Sequence, residues 1–407
     1  MDSHLSRNVR LLQVFWFLRE FQLWIPVWIV FLTIERGFSL TEVTGAEGLF
    51  LVGVVLLEVP TGAVADRYGR SLSLALGAFC LALAVLTFAF ASSFPVLLVS
   101  FLLWSVAFTL MSGADMALLF DTLKLGGRES EYERLAGRGS ALSWAGAGFA
   151  TMLGGPLAAF VDIRFTIFLG AGTCVVAAFV ALALWEPPHR RGAEPHAPYV
   201  ASIRAAFNEM WHVPQVRAVV LLTGASAAAL AASHYLIQPY LVERGVEVGA
   251  RFSLLQVPIF FAGMAGSLLA ARIGVRLGTT RALVGIPLVG VAAYLVLAAT
   301  PGLGGYAVFP LLIGLGSAIQ PIASGFVNRH IGSQRRATVL SIQGMVQGLT
   351  LAALAPAVGF ATDESGTGAA FMLGAVMTLV AVLLFGPLLL AQRGSGIPAL
   401  AEPEATV

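Results

Sequence analysis

Residues 62–70 read Gly62-Ala63-Val64-Ala65-Asp66-Arg67-Tyr68-Gly69-Arg70. One acid and two arginines are crowded into nine positions and framed by glycines. The runs on either side, 43–64 and 72–92, are apolar. Each has the ~20 residues that a helix needs to cross a bilayer. A charged hairpin between two such runs belongs at a membrane surface, because ionisable groups are costly in hydrocarbon. The same ruler laid along the chain finds twelve apolar runs, at roughly 9–34, 43–64, 72–92, 95–121, 138–160, 163–185, 216–241, 251–272, 281–300, 304–327, 337–360 and 368–391. A β-barrel would show alternating strands of about 10 residues instead.

Composition agrees. Of 407 residues, 58% are hydrophobic and 11% charged, against about 25% charged in an average soluble protein. Too few charges remain to cover a soluble domain of this length, which excludes an ordinary cytosolic enzyme, a disordered protein and a secreted disulfide scaffold. The net charge of +2 is spread over short loops and predicts no nucleic-acid partner. Cys80 and Cys174 both lie in apolar runs, so neither a disulfide framework nor a thiolate metal site is expected, and no cofactor is implied. Lys124 is the single lysine, and Ala, Gly and Leu abound, as in proteins of GC-rich bacteria.

The N-terminal run contains Arg19 and Glu20 and has no small-residue cleavage pattern after it, so it reads as a first spanning helix and not as a cleavable signal. The longest polar stretch is central and divides the runs six and six. The expected organisation is an N-terminal bundle over 1–186, a linker over 187–215 with a short amphipathic helix at 203–211, a C-terminal bundle over 216–392, and a disordered tail over 393–407. Placing the N-terminus in the cytoplasm puts nineteen of the 24 basic residues on that side and four on the other, with Arg19 inside the membrane. That asymmetry predicts both termini in the cytoplasm and a multi-pass protein of a bacterial inner membrane.

The 62–70 string resembles the G-x-x-x-D-R-x-G-R loop between helices 2 and 3 of the major facilitator superfamily, apart from Ser71, where a second basic residue is common. A partial copy, Arg276-Leu277-Gly278, follows 209 residues after Arg67-Tyr68-Gly69, with Val275 and Ala271 in place of the acid and the first glycine. The resemblance runs from Leu11 to Leu390. It implies an all-α membrane protein with the 12-helix fold, two six-helix bundles related by a pseudo-two-fold axis, working as a monomer. It also implies a cytoplasmic gate built from Gly62, Asp66, Arg67, Gly69, Arg70 and Asp121. Asp66 would dock at the start of helix 11 near Ala337, or near Arg335 and Arg336. Arg67 and Arg70 would pair with Asp121 or Glu58. The alternative is a loop that sets only topology and turn geometry. Gly154, Gly155 and Pro156 partly resemble the helix 5 motif of proton-coupled drug exporters, without its trailing glycines and without an arginine in helix 4. Close helix packing explains them equally well.

Polar groups at membrane depth are the site candidates. Arg19, Glu20 and Gln22 share one half of helix 1 with Gln13 and Trp16. Asp115 in helix 4 lies at a depth that suits a pair with Arg19, leaving Glu20 to exchange a proton. A static cluster that only locks helices 1 and 4 is the alternative. His234 and Gln238 are four apart in helix 7, and Gln320 lies in helix 10. By resemblance helices 1, 4, 7 and 10 line the central cavity. The expected function is secondary transport of a small molecule by alternating access, as proton-coupled efflux of an amphipathic or drug-like compound. Uptake or facilitated exchange of a metabolite is the alternative. A membrane-embedded enzyme or a non-transporting sensor is the alternative from another class. The chain has no H-E-x-x-H, no P-loop, and no polar segment large enough to bind ATP.

Overall fold

The computed structural model describes residues 2–187, 207–208, 211–331 and 333–390. Most of the expected linker, most of its amphipathic helix, the tail and the Arg335 side chain therefore lie outside the described residues. The described chain is helical throughout, with no strand. Twelve long helices follow in order: α1 Leu5–Glu35, α2 Leu40–Tyr68, α3 Arg70–Ala89, α4 Phe94–Leu125, α5 Tyr132–Phe160, α6 Ile163–Leu182, α7 Pro214–Glu243, α8 Ala250–Leu277, α9 Thr279–Ala299, α10 Gly302–His330, α11 over 338–365 and α12 over 367–390. The last two run on almost without a loop and are divided by Gly366 at φ 79°. The polar stretch around Asp363 and Glu364, which reads in sequence as an interhelical loop, is helical up to that glycine.

Local chemistry sets the ends. Ser39 and Glu42 form a reciprocal capping box at the start of α2. Asp162 Oδ1 accepts from the Arg164 amide at the start of α6. The hairpin between α2 and α3 turns on Gly69 at φ 104°, ψ 151°, and that between α8 and α9 on Gly278 at φ 77°, ψ 138°. Only glycine adopts such angles without strain. The two loops that share the Arg-x-Gly string thus share a backbone turn, although the acid and the first glycine are gone from the second.

The helices fall into two compact units: residues 1–191 with 238–260, and 192–237 with 261–407. In the first unit α1 lies along a glycine face of α5. A Cβ added to Gly139 would collide with the Trp16 ring, one on Gly146 with the Phe17 carbonyl, and one on Gly154 with the Leu23 carbonyl and Pro26. Gly155 faces the other way, against Ser253 and the Gly249 carbonyl. Small residues here let backbones touch, which is how helices associate where lipid supplies no hydrophobic drive. Pro156 sits inside α5 without ending it.

Gly154→Ala should therefore lower the stability of the detergent-solubilised protein by about 1–3 kcal/mol, the usual cost of overpacking. Gly148→Ala, where the added carbon meets nothing within 4 Å, should leave the thermal unfolding midpoint unchanged.

Candidate functional site

Helix α1 is not continuous. Regular α-helix ends at Glu20, residues 21–24 form a turn, Ile25–Val27 form a 3-10 turn, and Phe31–Glu35 are π-helical. Pro26 has no N–H and disfavours α geometry before it. The freed peptide groups need partners, because lipid offers none. Side chains supply them. Gln22 Nε2 donates to the Arg19 carbonyl at 3.1 Å. The Thr173 hydroxyl of α6 shares its single proton between the Gly170 carbonyl at 2.7 Å and the Phe21 carbonyl at 3.2 Å. Gln238 Nε2 donates to the Ile25 carbonyl at 3.0 Å, while its Oε1 accepts from the amides of Ile29 at 3.0 Å and Val30 at 3.3 Å. Gln256 Nε2 donates to the Pro26 carbonyl at 2.9 Å.

The end of the first α1 segment carries the charges. Arg19 Nε donates to Glu20 Oε1 at 2.9 Å and Nη1 to Asp115 Oδ2 at 3.3 Å. Asp115 is 6% exposed and also accepts from Trp16 Nε1 at 2.8 Å and from the Met116 amide at 2.7 Å. It stands in the first turn after a second break, where Gly113 at φ 72° divides α4. A helix N-terminus favours an anion there. Arg19 therefore holds both acids, and Glu20 is not the unpaired carboxyl that the sequence suggests.

Beside this cluster lies a cavity of about 460 Å³ between α1, α2, α3 and α4. Its charged lining is Arg19, Glu20, Asp115 and Glu47 of α2. Its wall is aromatic. Trp104 meets Trp24 edge-on with centroids 5.2 Å apart, and Phe50 lies 6.0 Å from Trp104 and 5.9 Å from Phe108. Gln22 also lines it, with its amide oxygen taken by Trp24 Nε1 at 2.9 Å. Sequence reasoning missed Glu47, although an acid four residues inside an apolar run was visible.

The second unit has its own cavity of about 510 Å³, lined by residues that include His234, Ser267, Ser317, Gln320 and Gln347. Gln320 Oε1 accepts from Gln343 Nε2 at 3.0 Å. Gln238 lines neither cavity and is 3% exposed. Residues Ala232–Leu236 are a 3-10 turn, so the α spacing that would put His234 and Gln238 on one face does not apply.

At the 62–70 loop, Arg70 Nη1 donates to the Ala117 carbonyl at 2.7 Å and pairs with Asp121. Glu186 caps α3, accepting from the amides of Arg70 at 3.0 Å and Ser71 at 2.8 Å. Gly69 packs against that carboxylate. Asn8 ties the same end together, with Oδ1 accepting from the Trp185 amide at 2.7 Å and Nδ2 donating to Thr122 at 3.1 Å. Asp66, Arg67 and Gly62 are exposed, and the Arg67 guanidinium lies 5.5 Å from the Tyr68 ring centroid. In the neighbouring α4–α5 loop, hydrogen bonds from Arg128 and then Arg134 push the Glu131 carboxyl down to about 2. That contribution to folding is present above the ordinary carboxylate range and is lost as pH falls through about 2.

The sequence model of the Major Facilitator Superfamily matches residues 15–352. The chain belongs to this superfamily. It is a multi-pass membrane protein with the 12-helix fold, a secondary transporter and not an enzyme. The crystal structure of the nucleoside transporter NupG is similar at a TM-score of 0.76 and 14% identity, covering 94% of this chain and 98% of that one. A bacterial homologue of the human lysosomal transporter Spinster, in an inward-facing and unoccupied conformation, gives 0.78 at 15% identity over 98% and 100%. The D-xylose-proton symporter gives 0.72 at 12% over 94% and 96%. At these identities the likeness is one of fold. The uncharacterized MFS-type transporter YxaM of Bacillus subtilis (strain 168) is 28% identical over 89 residues, which span 22% of this chain and 22% of that relative.

If the Arg19 cluster is one unit, its members are not additive. Arg19→Gln should destabilise the transporter by up to about 3 kcal/mol, the low end for breaking a buried pair, because the Arg19 side chain is 23% exposed. Adding Asp115→Asn should recover part of that loss in thermal unfolding.

Proposed function

We propose that this transporter exports a small amphipathic compound in exchange for protons, with the α1–α4 cavity as its substrate chamber. The observation that carries this is the joining of Arg19, Glu20, Glu47 and Asp115 to one aromatic-walled space. A cavity of about 460 Å³ lies within the ~300–1,000 Å³ range of small-molecule sites. Carboxyl groups at membrane depth bind and release protons as their surroundings change. Arg19 bridges two of them, so protonating either one redistributes its hydrogen bonds and changes what holds α1 to α4. Broken helices beside a midplane site suit alternating access. We further propose that the 62–70 loop gates the cytoplasmic side, with Arg70, Asp121 and Glu186 fixing the start of α3 while Asp66 engages when that side closes. The transporter would work as a monomer in a bacterial cytoplasmic membrane, with both termini inside.

The test is transport by the full chain in proteoliposomes, with and without an imposed pH gradient. Movement driven by the gradient and lost in both Glu20→Gln and Asp115→Asn is expected. Transport undiminished in both variants would overturn the proton-site assignment. Accumulation into vesicles of cytoplasmic-side-out orientation supports export. Accumulation only in the opposite orientation would make the protein an uptake system.

A further inference from the structure

We propose that the end of the second unit where α8 passes into α9 binds an anionic phospholipid. Its phosphate is held by Arg276 and Arg281, with Arg272 and Arg329 at the edge, and its acyl chains lie along the outer faces of α8 and α9. The site belongs wholly to the second unit and is independent of the export reading.

The first support is a cluster of uncompensated charge. Arg276 stands in the last turn of α8, Gly278 makes the turn, and Arg281 stands in the first turn of α9. Arg329, in the last turn of α10, joins them by donating from Nη2 to the Thr279 hydroxyl at 3.0 Å. Arg272 lies one turn before Arg276 on α8. All four are exposed, and none forms an ion pair among the described residues. The described residues of the second unit hold two acids, Asp363 and Glu364. Helix α11 starts just after α10 ends, and both acids sit at its far end, about 40 Å along the helix at 1.5 Å per residue.

The first hairpin shows the contrast. It shares the Arg-x-Gly string and the glycine turn, but it answers its charges with carboxylates. Arg70 pairs with Asp121, and Glu186 accepts from the amides of Arg70 and Ser71. In the second hairpin Val275 stands where the first has Asp66, and it is 85% exposed. No side chain caps α9, whose first turn holds Arg281 and no acid. A cation in a first turn works against the helix dipole, so α9 itself gains nothing from Arg281 there. Basic residues that only set topology need no such gathering around one turn, and no apolar face beside them.

That apolar face is the second support, independent of the charges. Helix α8 packs on α10 through Gly266, where an added Cβ would strike the Gly314 carbonyl, and through Ser267, whose hydroxyl donates to the Ser317 carbonyl at 3.3 Å. The face turned away from α10 is apolar and exposed. Phe261, Met264, Leu268 and Val275 follow one another along it at helical spacing, and Arg272 continues the stripe. On α9, Leu288 and Leu295 are exposed seven and fourteen residues after Arg281. Each helix thus presents an apolar stripe that ends in arginine at the hairpin. Acyl chains suit the stripes. The guanidinium fork takes phosphate oxygens in pairs, and clustered basic residues at the ends of membrane helices hold anionic headgroups.

The experiment is native mass spectrometry of the purified full chain in non-ionic detergent, titrated with dioleoyl phosphatidylglycerol or dioleoyl phosphatidylcholine, and with inorganic phosphate as competitor. Phosphatidylglycerol should bind about tenfold tighter than phosphatidylcholine, which has the same chains, and phosphate should not displace it. Replacing both Arg276→Gln and Arg281→Gln should cost phosphatidylglycerol about tenfold or more and phosphatidylcholine nothing, since each basic residue at a membrane surface is worth about fivefold. Replacing both Arg7→Gln and Arg10→Gln removes two exposed arginines from the first unit and should change binding less than about twofold. Val275→Asp restores the acid of the first hairpin at an exposed position without touching an arginine. It should weaken phosphatidylglycerol about fivefold, while Val275→Asn should leave it unchanged. Phosphatidylglycerol bound no tighter than phosphatidylcholine, equal losses in the two arginine pairs, or binding indifferent to Val275→Asp would each overturn the proposal. Displacement by inorganic phosphate would make the site one for a free anion and overturn the lipid assignment.

Discussion

Peptide groups released from a helix at membrane depth must find partners inside the protein, and that requirement organises the first unit of this transporter. The break in α1 frees the carbonyls of Arg19, Phe21, Ile25 and Pro26 and the amides of Ile29 and Val30. An unsatisfied buried group costs about 1–3 kcal/mol. Six together rival the ~5–15 kcal/mol that stabilises a whole domain. The break is tolerable only because Gln22, Thr173, Gln238 and Gln256 meet those groups. Gln238 presents one side-chain amide to both edges of the gap and so replaces the missing turn.

The rest of the site follows from that break. Ending regular helix at Glu20 places Arg19 where it reaches Asp115 beside the second break at Gly113, with Glu20 held by the same guanidinium. The glycine face of α5 lets the interrupted segment lie close enough to be held, with the Leu23 carbonyl against Gly154. The turn at 21–24 leaves Trp24 stacked edge-on against Trp104, and those rings become one wall of the cavity. Charge, aromatic surface and free volume thus meet at the place where helical regularity fails.

Much of this was legible in the sequence. Twelve apolar runs, the Asp66 loop and the pairing of Arg19 with Asp115 all follow from hydropathy and charge, which act locally. Pro26 accompanies a full break in α1, which a proline alone does not dictate, since many prolines only kink a helix. The misplaced residues are those whose role depends on a partner far along the chain. Gln238 reads as a cavity residue on an α face with His234, because nothing local announces the 3-10 turn at 232–236. Glu186 reads as the last residue of a bundle, yet its carboxylate caps α3 more than 110 residues away. Glu47 lines the cavity, yet nothing local separates such an acid from one that faces water near a helix end.

The central claim is that side chains, and Gln238 above all, hold the broken segment of α1. Residue-resolved hydrogen exchange at the Ile29 and Val30 amides, in the transporter reconstituted in lipid nanodiscs, tests it most directly. Replacing Gln238 with leucine should speed exchange at these two amides by about tenfold or more, with the amides of α9 unchanged. Protection at Ile29 and Val30 equal to that of the unaltered protein would contradict the account.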